Sequence, residues 1–304
     1  MHTRHSESVS DPSPKARPKL VDRLHRALEA LHLLLFHATD LETRRALVTC
    51  YRSLFDASYS SEEVVLNLRI LKKRYALRMR KSDIFTLGEI LHGGQYGVRS
   101  PLPSQPVILD AGANIGFSAA WFSALYEGAM VHCFEPEQEN YRLLEANLEK
   151  LPGFVLNHCA VGQEEGLVSL RVADHGALHS VLDSEGNGPV QEVRQIALGN
   201  YLREQRLSQV DLLKLDVEGS ELDALFGLGS EIEGVRVIIG ELHRSAVDEH
   251  SFYEFLAQRG FRTVWTKDLP TEDEQEAVQL FEVANENASR ADQTKPIRSP
   301  NAEP

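Results

Sequence analysis

The chain has 304 residues, 42% of them hydrophobic and 25% charged, which is enough for one large α/β domain with an appended segment. Its formal net charge of -13 argues against a nucleic-acid-binding protein, because such proteins carry a basic surface. Three widely spaced cysteines without a CxxC pair argue against a zinc site and a disulfide framework, and favour a reducing, cytoplasmic compartment.

The N-terminal part is predicted to be a disordered end followed by helices. Residues 1–18 are polar and proline-bearing, without the apolar core of a signal peptide. Residues 19–76 are predicted to form a helical extension, which includes helices over 41–56 and 61–79. The first helix carries an apolar stripe at helical spacing, formed by Leu20, Leu24, Ala27, Leu28, Leu31 and Leu35. We expect this stripe to pack against the domain or to contact a second copy in a homodimer. No apolar run is long enough for a transmembrane segment.

Between residues 106 and 283, short apolar runs alternate with amphipathic stretches. This alternation predicts an α/β fold with a doubly wound, mostly parallel seven-stranded sheet covered by helices on both faces. A hairpin is expected to interrupt the series at 166–198. The predicted strands are 106–112, 129–136, 154–162, 210–219, 235–242, 261–265 and 278–283.

The stretch VILDAGANIGFSAAWF, at 107–122, is the clearest candidate for a ligand site. Asp110 ends a buried strand, and Gly112 and Gly116 leave the backbone bare before a helix begins. Ligands of doubly wound sheets bind beyond such strand ends. The spacing is D-x-G-x-N-x-G, with Asn114 as its asparagine, and differs from the G-x-G-x-x-G of dinucleotide sites. A carboxylate beside backbone donors suits the methionine end of S-adenosylmethionine, which carries an ammonium group.

A second acid, Glu135, ends the next strand in the sequence VHCFEP. An acid at this point accepts hydrogen bonds from both hydroxyls of a ribose. Because NAD shares this ribose, an NAD-dependent oxidoreductase is an alternative, which the missing G-x-G-x-x-G disfavours. A non-catalytic, cofactor-binding scaffold protein is a second alternative.

Five motifs resemble, in order and spacing, the FkbM-type family of S-adenosylmethionine-dependent methyltransferases. They are VILDAGANIGFSA, CFEPEQENYRLLEANL, HCAVG, VDLLKLDVEGSELDAL and VIIGELH, preceded by the lead-in LRMRKSDIFTLGEILHGGQY. The resemblance covers residues 77–285 and leaves 286–304 as a tail that we expect to be disordered. It implies a Rossmann-like class I methyltransferase fold with S-adenosyl-L-methionine as cofactor. It further implies methylation of a hydroxyl on a small-molecule, sugar or glycolipid-type acceptor.

The resemblance also implies roles for individual residues. The cofactor is expected to contact Asp110, Gly112, Asn114, Gly116 and Glu135, and the adenine to lie against Ala160 and Val161. Arg78 and Tyr96 in the lead-in, with His179 and Ser180 in the hairpin, are expected substrate contacts. Apart from Arg78, the basic run at 72–81 is interpreted as a solvated helix face.

Three residues at the ends of central strands are candidates for the chemistry: Asp216, Glu218 and His243. Asp216 is expected to orient the acceptor hydroxyl or, alternatively, to coordinate a metal with Glu218, although no metal is predicted outright. In a third interpretation, one of these two acids caps the following helix. His243 is a candidate general base because its unperturbed pKa lies near neutrality. Alternatively, it is a loop histidine bonded to Glu241.

Overall fold

The structure, a computed structural model, describes residues 20–55, 61–171, 189–269 and 277–288. The ends predicted to be disordered, residues 1–18 and most of 286–304, lie outside this part of the chain. Within the described ranges, every helix is too short or too polar to span a lipid bilayer.

The N-terminal segment begins with two helices, α1 (Leu20–His32) and α2 (Leu41–Phe55), joined through a π-helical turn at Leu33–His37. Glu29 and Leu33 are almost completely buried. The leucines of the predicted stripe instead remain 50% to 61% exposed, namely Leu24, Leu28, Leu31 and Leu35. The expectation that this stripe packs against the domain is therefore wrong. Its contact with a second copy stays a prediction.

The segment 61–79, predicted to be helical, is a β-hairpin. Its strands, β1 (Glu63–Ile70) and β2 (Lys73–Arg80), pair antiparallel. Apolar side chains alternate with polar ones along both strands, so that one face of the hairpin is buried. The buried residues of this face are Leu66, Leu68, Ile70, Tyr75, Leu77 and Met79. The predicted helix is therefore wrong, and the basic run at 72–81 is mostly strand and not a helix face.

The centre of the molecule is a seven-stranded sheet, which confirms the predicted doubly wound α/β fold. All pairings within it are parallel except those of β12, which runs antiparallel to both of its neighbours. The spatial order is β11 (Phe261–Asp268), β12 (Val278–Asn285), β10 (Val235–His243), β9 (Val210–Leu215), β3 (Val107–Ala111), β4 (Met130–Phe134) and β5 (Phe154–Asn157).

A smaller, three-stranded sheet consists of β6 (Ala160–Gly162), β7 (Gly166–Arg171) and β8 (Val190–Ala197). Strands β7 and β8 form the hairpin that the sequence predicts. The predicted strand 154–162 is divided between the two sheets. Six further helices are α3 (Ile84–Leu91), α4 (Phe117–Leu125), α5 (Gln138–Leu148), α6 (Leu198–Glu204), α7 (Glu221–Leu228) and α8 (Glu249–Gln258).

The large sheet is buried on both faces by separate hydrophobic cores. Successive side chains of a strand point to opposite faces, so that Ile108 belongs to one core and Leu109 to the other. The first core includes α4, α5, the N-terminal helices and the β1–β2 hairpin. The second includes α6, α7 and α8. Burial on both faces explains why these strands appear in the sequence as continuous apolar runs.

Strand β12 is the last strand of the described residues but lies inside the sheet, between β10 and β11. Its Glu282 is 1% exposed and accepts hydrogen bonds from the backbone N–H groups of Arg99 at 2.8 Å and Ser100 at 2.7 Å. The last strand therefore fixes the segment that follows α3.

The strand order also locates the expected ligand crevice. From β3 the chain proceeds to β4 and β5 on one side of the sheet, and it later forms β9 and β10 on the other side. The adjacent carboxyl ends of β3 and β9 therefore lead into connections that leave in opposite directions. Such a switch point is where ligands bind in doubly wound sheets.

Candidate active site

A cavity of about 600 Å³ opens at the switch point. The turns after β3 and β4 line it with small and polar groups, whereas the ends of β9 and β10 contribute carboxylates. Helix α3 and the segment after it complete the described part of the wall.

The turn after β3 approaches β9 so closely that only glycine fits at position 112. Gly112 has a φ of 79°, and a Cβ atom there would lie 1.8 Å from the carbonyl oxygen of Asp216. Asn114, with a φ of 49°, donates its backbone N–H to Oε2 of Glu135 at 2.9 Å. The side-chain Oδ1 of Asn114 is buried and has no hydrogen-bond partner among the described residues. An unsatisfied acceptor in a cavity wall is a position for a donor group of a ligand.

Lys214 lies at the centre of the switch point and is 1% exposed, in a strand that contains one other charged residue, Asp211. Its Nζ is 2.6 Å from the carbonyl oxygen of Gly112. The same atom is 3.3 Å from Oδ1 of Asp110 and 3.3 Å from Oδ2 of Asp216. Burial alone would lower the pKa of Lys214, but these carboxylates outweigh it and raise the pKa well above the usual range. A permanently charged ammonium group therefore connects β3, its turn and the end of β9.

Two residues predicted to contact the cofactor, Asp110 and Gly116, do not line the cavity. Asp110 is 0% exposed and accepts a hydrogen bond from Oγ of Ser118 at 2.6 Å, in addition to its ion pair with Lys214. Gly116 precedes α4 with a φ of 95°, and a Cβ atom there would lie 2.8 Å from the Leu148 side chain. The predicted direct contacts are therefore corrected. Asp110 holds the buried lysine, and Gly116 allows α4 to begin beside α5.

The other predicted cofactor contacts all line the cavity: Gly112, Asn114, Glu135, Ala160 and Val161. Glu135 also accepts the backbone N–H of Glu137 at 3.0 Å. Burial raises the pKa of Glu135 to about 7, and the backbone N–H groups of Glu137 and Asn114 oppose this shift. Ala160 and Val161, on β6, provide an apolar wall.

The ends of β9 and β10 bring four side chains together, which we call the acidic cluster: Asp216, Glu218, Glu241 and His243. Asp216 accepts a hydrogen bond from the hydroxyl of Tyr96 at 2.7 Å. Burial opposes ionisation of Asp216, but Lys214 above all lowers its pKa below the ordinary value. Glu241 behaves in the opposite way, because burial and the charge of Asp216 raise its pKa well above normal. Burial also raises the pKa of Glu218.

His243 is held between two glutamates. Its Nε2 is 3.1 Å from Oε2 of Glu218, and its Nδ1 is 2.8 Å from Oε1 of Glu221. Burial alone would lower the pKa of His243, but the two carboxylates raise it to about 11. A carboxylate beside each ring nitrogen stabilises the imidazolium form, which disfavours the predicted role of His243 as a neutral general base. The alternative of a bond to Glu241 is wrong, since both ring nitrogens face other glutamates.

The predicted substrate contacts separate in the structure. Tyr96 lines the cavity, whereas Arg78 does not. Arg78 lies on β2, about half exposed, and its guanidinium is 3.3 Å from the carboxylate of Glu63. Its expected substrate contact is thus corrected to a surface ion pair. His179 and Ser180 lie outside the described residues.

The sequence did not indicate three further cavity residues, Glu89, Gln95 and Lys214, and it indicated Glu241 only as an alternative partner of His243. Lys214 could have been recognised, because a lysine between buried leucines is almost always paired. Gln95 donates a hydrogen bond from its side-chain amide to Glu241. Nothing in the local sequence marks Glu89 or Gln95, since their positions depend on how α3 packs over the sheet.

A doubly wound sheet with one inserted antiparallel strand, a glycine turn after β3 and an acid after β4 defines a class I methyltransferase. The model of the Methyltransferase FkbM domain matches residues 110–263. This chain belongs to the FkbM methyltransferase family.

Three relatives illustrate the similarity. Methyltransferase sdnD of Sordaria araneosa is 30% identical over 223 residues, covering 60% of this chain and 86% of that protein. Hexuronic acid methyltransferase AglP of Haloferax volcanii is 28% identical and covers 64% of this chain and 81% of its own length. The 2-O-methyltransferase NoeI of Sinorhizobium fredii is 26% identical, with 54% and 79% covered.

Replacing Lys214 with methionine will destabilise the protein, because Asp110 and Asp216 then lose their shared buried counter-charge. We expect a loss of roughly 3–5 kcal/mol in the free energy of unfolding, measured by urea denaturation followed by circular dichroism. The matched control is Lys267→Met on the exposed edge of β11, expected to change stability by less than about 0.5 kcal/mol. Equal losses in the two variants would contradict the central role of Lys214.

The imidazolium of His243 predicts a particular pH dependence of stability. A pKa raised from 6.5 to about 11 on folding contributes stability fully below pH 6.5 and loses it as the pH rises toward 11. The stability gap between wild type and His243→Gln will therefore be largest near pH 6 and shrink by up to about 1.4 kcal/mol per pH unit above it. Urea denaturation at pH 6, 8 and 10 measures this gap. A stability gap that does not change with pH would show that Glu218 and Glu221 do not raise the pKa of His243.

Proposed function

We propose that the protein is an S-adenosylmethionine-dependent O-methyltransferase that acts on a hydroxyl of a small-molecule, sugar or glycolipid-type acceptor. The observation that carries this proposal is the composition of the cavity. One space of about 600 Å³ combines the groups of a cofactor site, Asn114 and Glu135, with the acidic cluster.

The residues of this chain fit the cofactor. Glu135 presents a carboxylate at the end of β4 for the two ribose hydroxyls, and Ala160 and Val161 provide an apolar wall for the adenine. The unsatisfied Oδ1 of Asn114 is an acceptor for the ammonium group of the methionine part. Asn114 thus takes the role that the sequence suggested for the enclosed Asp110. When bound, the cofactor supplies a methyl group on a sulfonium centre.

The acidic cluster fits the acceptor hydroxyl. Asp216, whose pKa is lowered, remains ionised and accepts a hydrogen bond that orients the hydroxyl. Glu218 and Glu241 have raised pKa values and are therefore better bases. One of them takes the hydroxyl proton as the bond from oxygen to the methyl carbon forms and the bond from carbon to sulfur breaks.

The charge of the cluster bears on the class of acceptor. Carboxylates outnumber cations around this part of the cavity, and an anionic acceptor would be repelled there. We therefore propose an uncharged, hydroxylated acceptor. The relative described as a 2-O-methyltransferase supports oxygen as the methylated atom. An NAD-dependent oxidoreductase is not favoured.

The cofactor part of the proposal is tested by calorimetry with S-adenosylhomocysteine. Glu135→Gln will weaken its binding about 10- to 100-fold, since a hydrogen bond to a charged group contributes roughly 1.5–3 kcal/mol. The matched control is Glu139→Gln, whose side chain is 60% exposed at the start of α5 and which should bind normally. Tight binding of NAD with no heat from S-adenosylhomocysteine would reverse the assignment.

The transfer itself is tested with a tritiated methyl donor and a cell extract separated into polysaccharide, lipid, protein and small molecules. We expect label in a hydroxylated, uncharged fraction. Glu218→Gln and Glu241→Gln should each be assayed, and loss of the proton acceptor will lower kcat about 100-fold or more in at least one. Glu254→Gln on α8, with a side chain 57% exposed, is the matched control. Cofactor binding without transfer to any fraction would indicate a non-catalytic scaffold.

A further inference from the structure

Three side chains of the acidic cluster have the spacing of a metal site. Asp216, Glu241 and His243 each offer one ligand atom, and these three atoms all lie within 4.8 Å of one another. All three residues line the cavity. We propose that Asp216, Glu241 and His243 form a binding site for a divalent transition-metal cation.

The sheet fixes the relative positions of these ligands. Glu241 and His243 are two residues apart on β10 and therefore point to the same side of the strand. Asp216 directly follows β9, whose last residue, Leu215, is paired with Gly240 of β10. Two adjacent parallel strands thus bring the ligands together without help from a mobile loop, which gives the site a prearranged geometry.

The surroundings of His243 are those of a metal-binding histidine. Such a histidine usually directs the ring nitrogen that faces away from the metal to a carboxylate. Here Nδ1 is 2.8 Å from Oε1 of Glu221, a fully buried residue that is itself fixed by the backbone N–H of Gly219 at 3.0 Å. The opposite nitrogen, Nε2, faces Glu218 and becomes a ligand once its proton is displaced.

The carboxylate ligands have outer partners as well. The Tyr96 hydroxyl donates to Oδ2 of Asp216 at 2.7 Å, and the side chain of Gln95 donates to Oε1 of Glu241. Each ligand is therefore oriented by a neighbour from another part of the chain. Metal ligands are usually oriented by such outer hydrogen bonds, whereas carboxylates in solvent need no protein donor to fix their orientation.

Charge balance gives an independent reason for a cation. Five carboxylates surround the site, and the cationic side chains of Lys214 and His243 lie among them. The carboxylates belong to Asp110, Asp216, Glu218, Glu221 and Glu241. Burial makes this surplus of negative charge unfavourable. A divalent cation that displaces one proton reduces the surplus.

The chemistry of the ligands limits the choice of metal. One imidazole nitrogen with two carboxylate oxygens suits Mn²⁺, Fe²⁺, Co²⁺ or Zn²⁺, whereas Ca²⁺ and Mg²⁺ prefer oxygen ligands alone. If the proposed function holds, the metal has an open position for the acceptor hydroxyl and lowers the pKa of that hydroxyl. Glu218 is then the base, because Glu241 is a ligand. Metal binding itself does not depend on the identity of the acceptor.

The test is titration of the metal-free protein with Mn²⁺, followed by electron paramagnetic resonance and calorimetry. We expect saturable binding of one equivalent and a pulsed-resonance coupling from one imidazole nitrogen. Glu241→Gln and His243→Gln will weaken binding at least about 10-fold, and His243→Gln will remove the nitrogen coupling. Circular dichroism confirms folding, and the coupling in the wild type is informative even if a variant does not fold.

Two controls make the result decisive. Glu254→Gln removes an exposed carboxylate and should not change the affinity for Mn²⁺. His32→Gln tests a competing site, because Nδ1 of His32 lies 2.8 Å from Nδ1 of His92 in the N-terminal segment. No saturable binding, equal affinity in Glu241→Gln, or loss of the nitrogen coupling in His32→Gln would overturn the proposal.

Calorimetry of S-adenosylhomocysteine on the same metal-free protein separates this proposal from the proposed function. If S-adenosylhomocysteine binds and Mn²⁺ does not, the metal-site proposal is wrong and the proposed function stands. If Mn²⁺ binds and S-adenosylhomocysteine does not, the proposed function is wrong and the metal-site proposal stands.

Discussion

The buried ammonium group of Lys214 is the interaction on which the site depends. It contacts the carboxylate that ends β3, the carbonyl of the glycine turn and the carboxylate that follows β9. Without this charge, two acids would be enclosed beside each other, and the turn would lose the bond that holds it against β9. Because the same turn positions Asn114, the lysine shapes the nucleoside part of the cavity although none of its atoms has to touch a ligand.

The two parts of the cavity are built by different means. The turns after β3 and β4 rely on backbone geometry, with Gly112 and Asn114 at positive φ and Glu135 held by N–H groups. The ends of β9 and β10 rely on side-chain charge, where His243 and Lys214 each stabilise neighbouring carboxylates. One part therefore recognises shape and hydrogen bonds, and the other controls protonation. The proposed methyl transfer to oxygen requires both, since alignment and proton removal are separate tasks.

The sequence was sufficient for the sheet because burial on both faces produces apolar runs that any chain must bury. It also located the turn at Gly112 and the acid at Glu135, whose functions depend on nearby backbone. It failed where a partner comes from a distant segment. Asp110 lies in the expected strand, but its role is set by Lys214, more than 100 positions away. The charge of His243 likewise depends on Glu218 and Glu221. The segment at 63–80 was predicted to be helical but is a hairpin, because its apolar residues alternate with a period of two and bury one face of each strand.

The position of β12 has a consequence for how the molecule comes into being. When synthesis has reached the end of β11, every described residue of the cavity wall except Val278 has been made. At that point β10 still lacks β12, one of its two neighbours in the sheet. Until the final strand inserts, that edge offers unpaired backbone groups to any other chain. The same insertion supplies Glu282 to the segment after α3. Strand β12 is thus needed both to pair with β10 and to fix the segment after α3 that carries Gln95 and Tyr96 to the cavity wall.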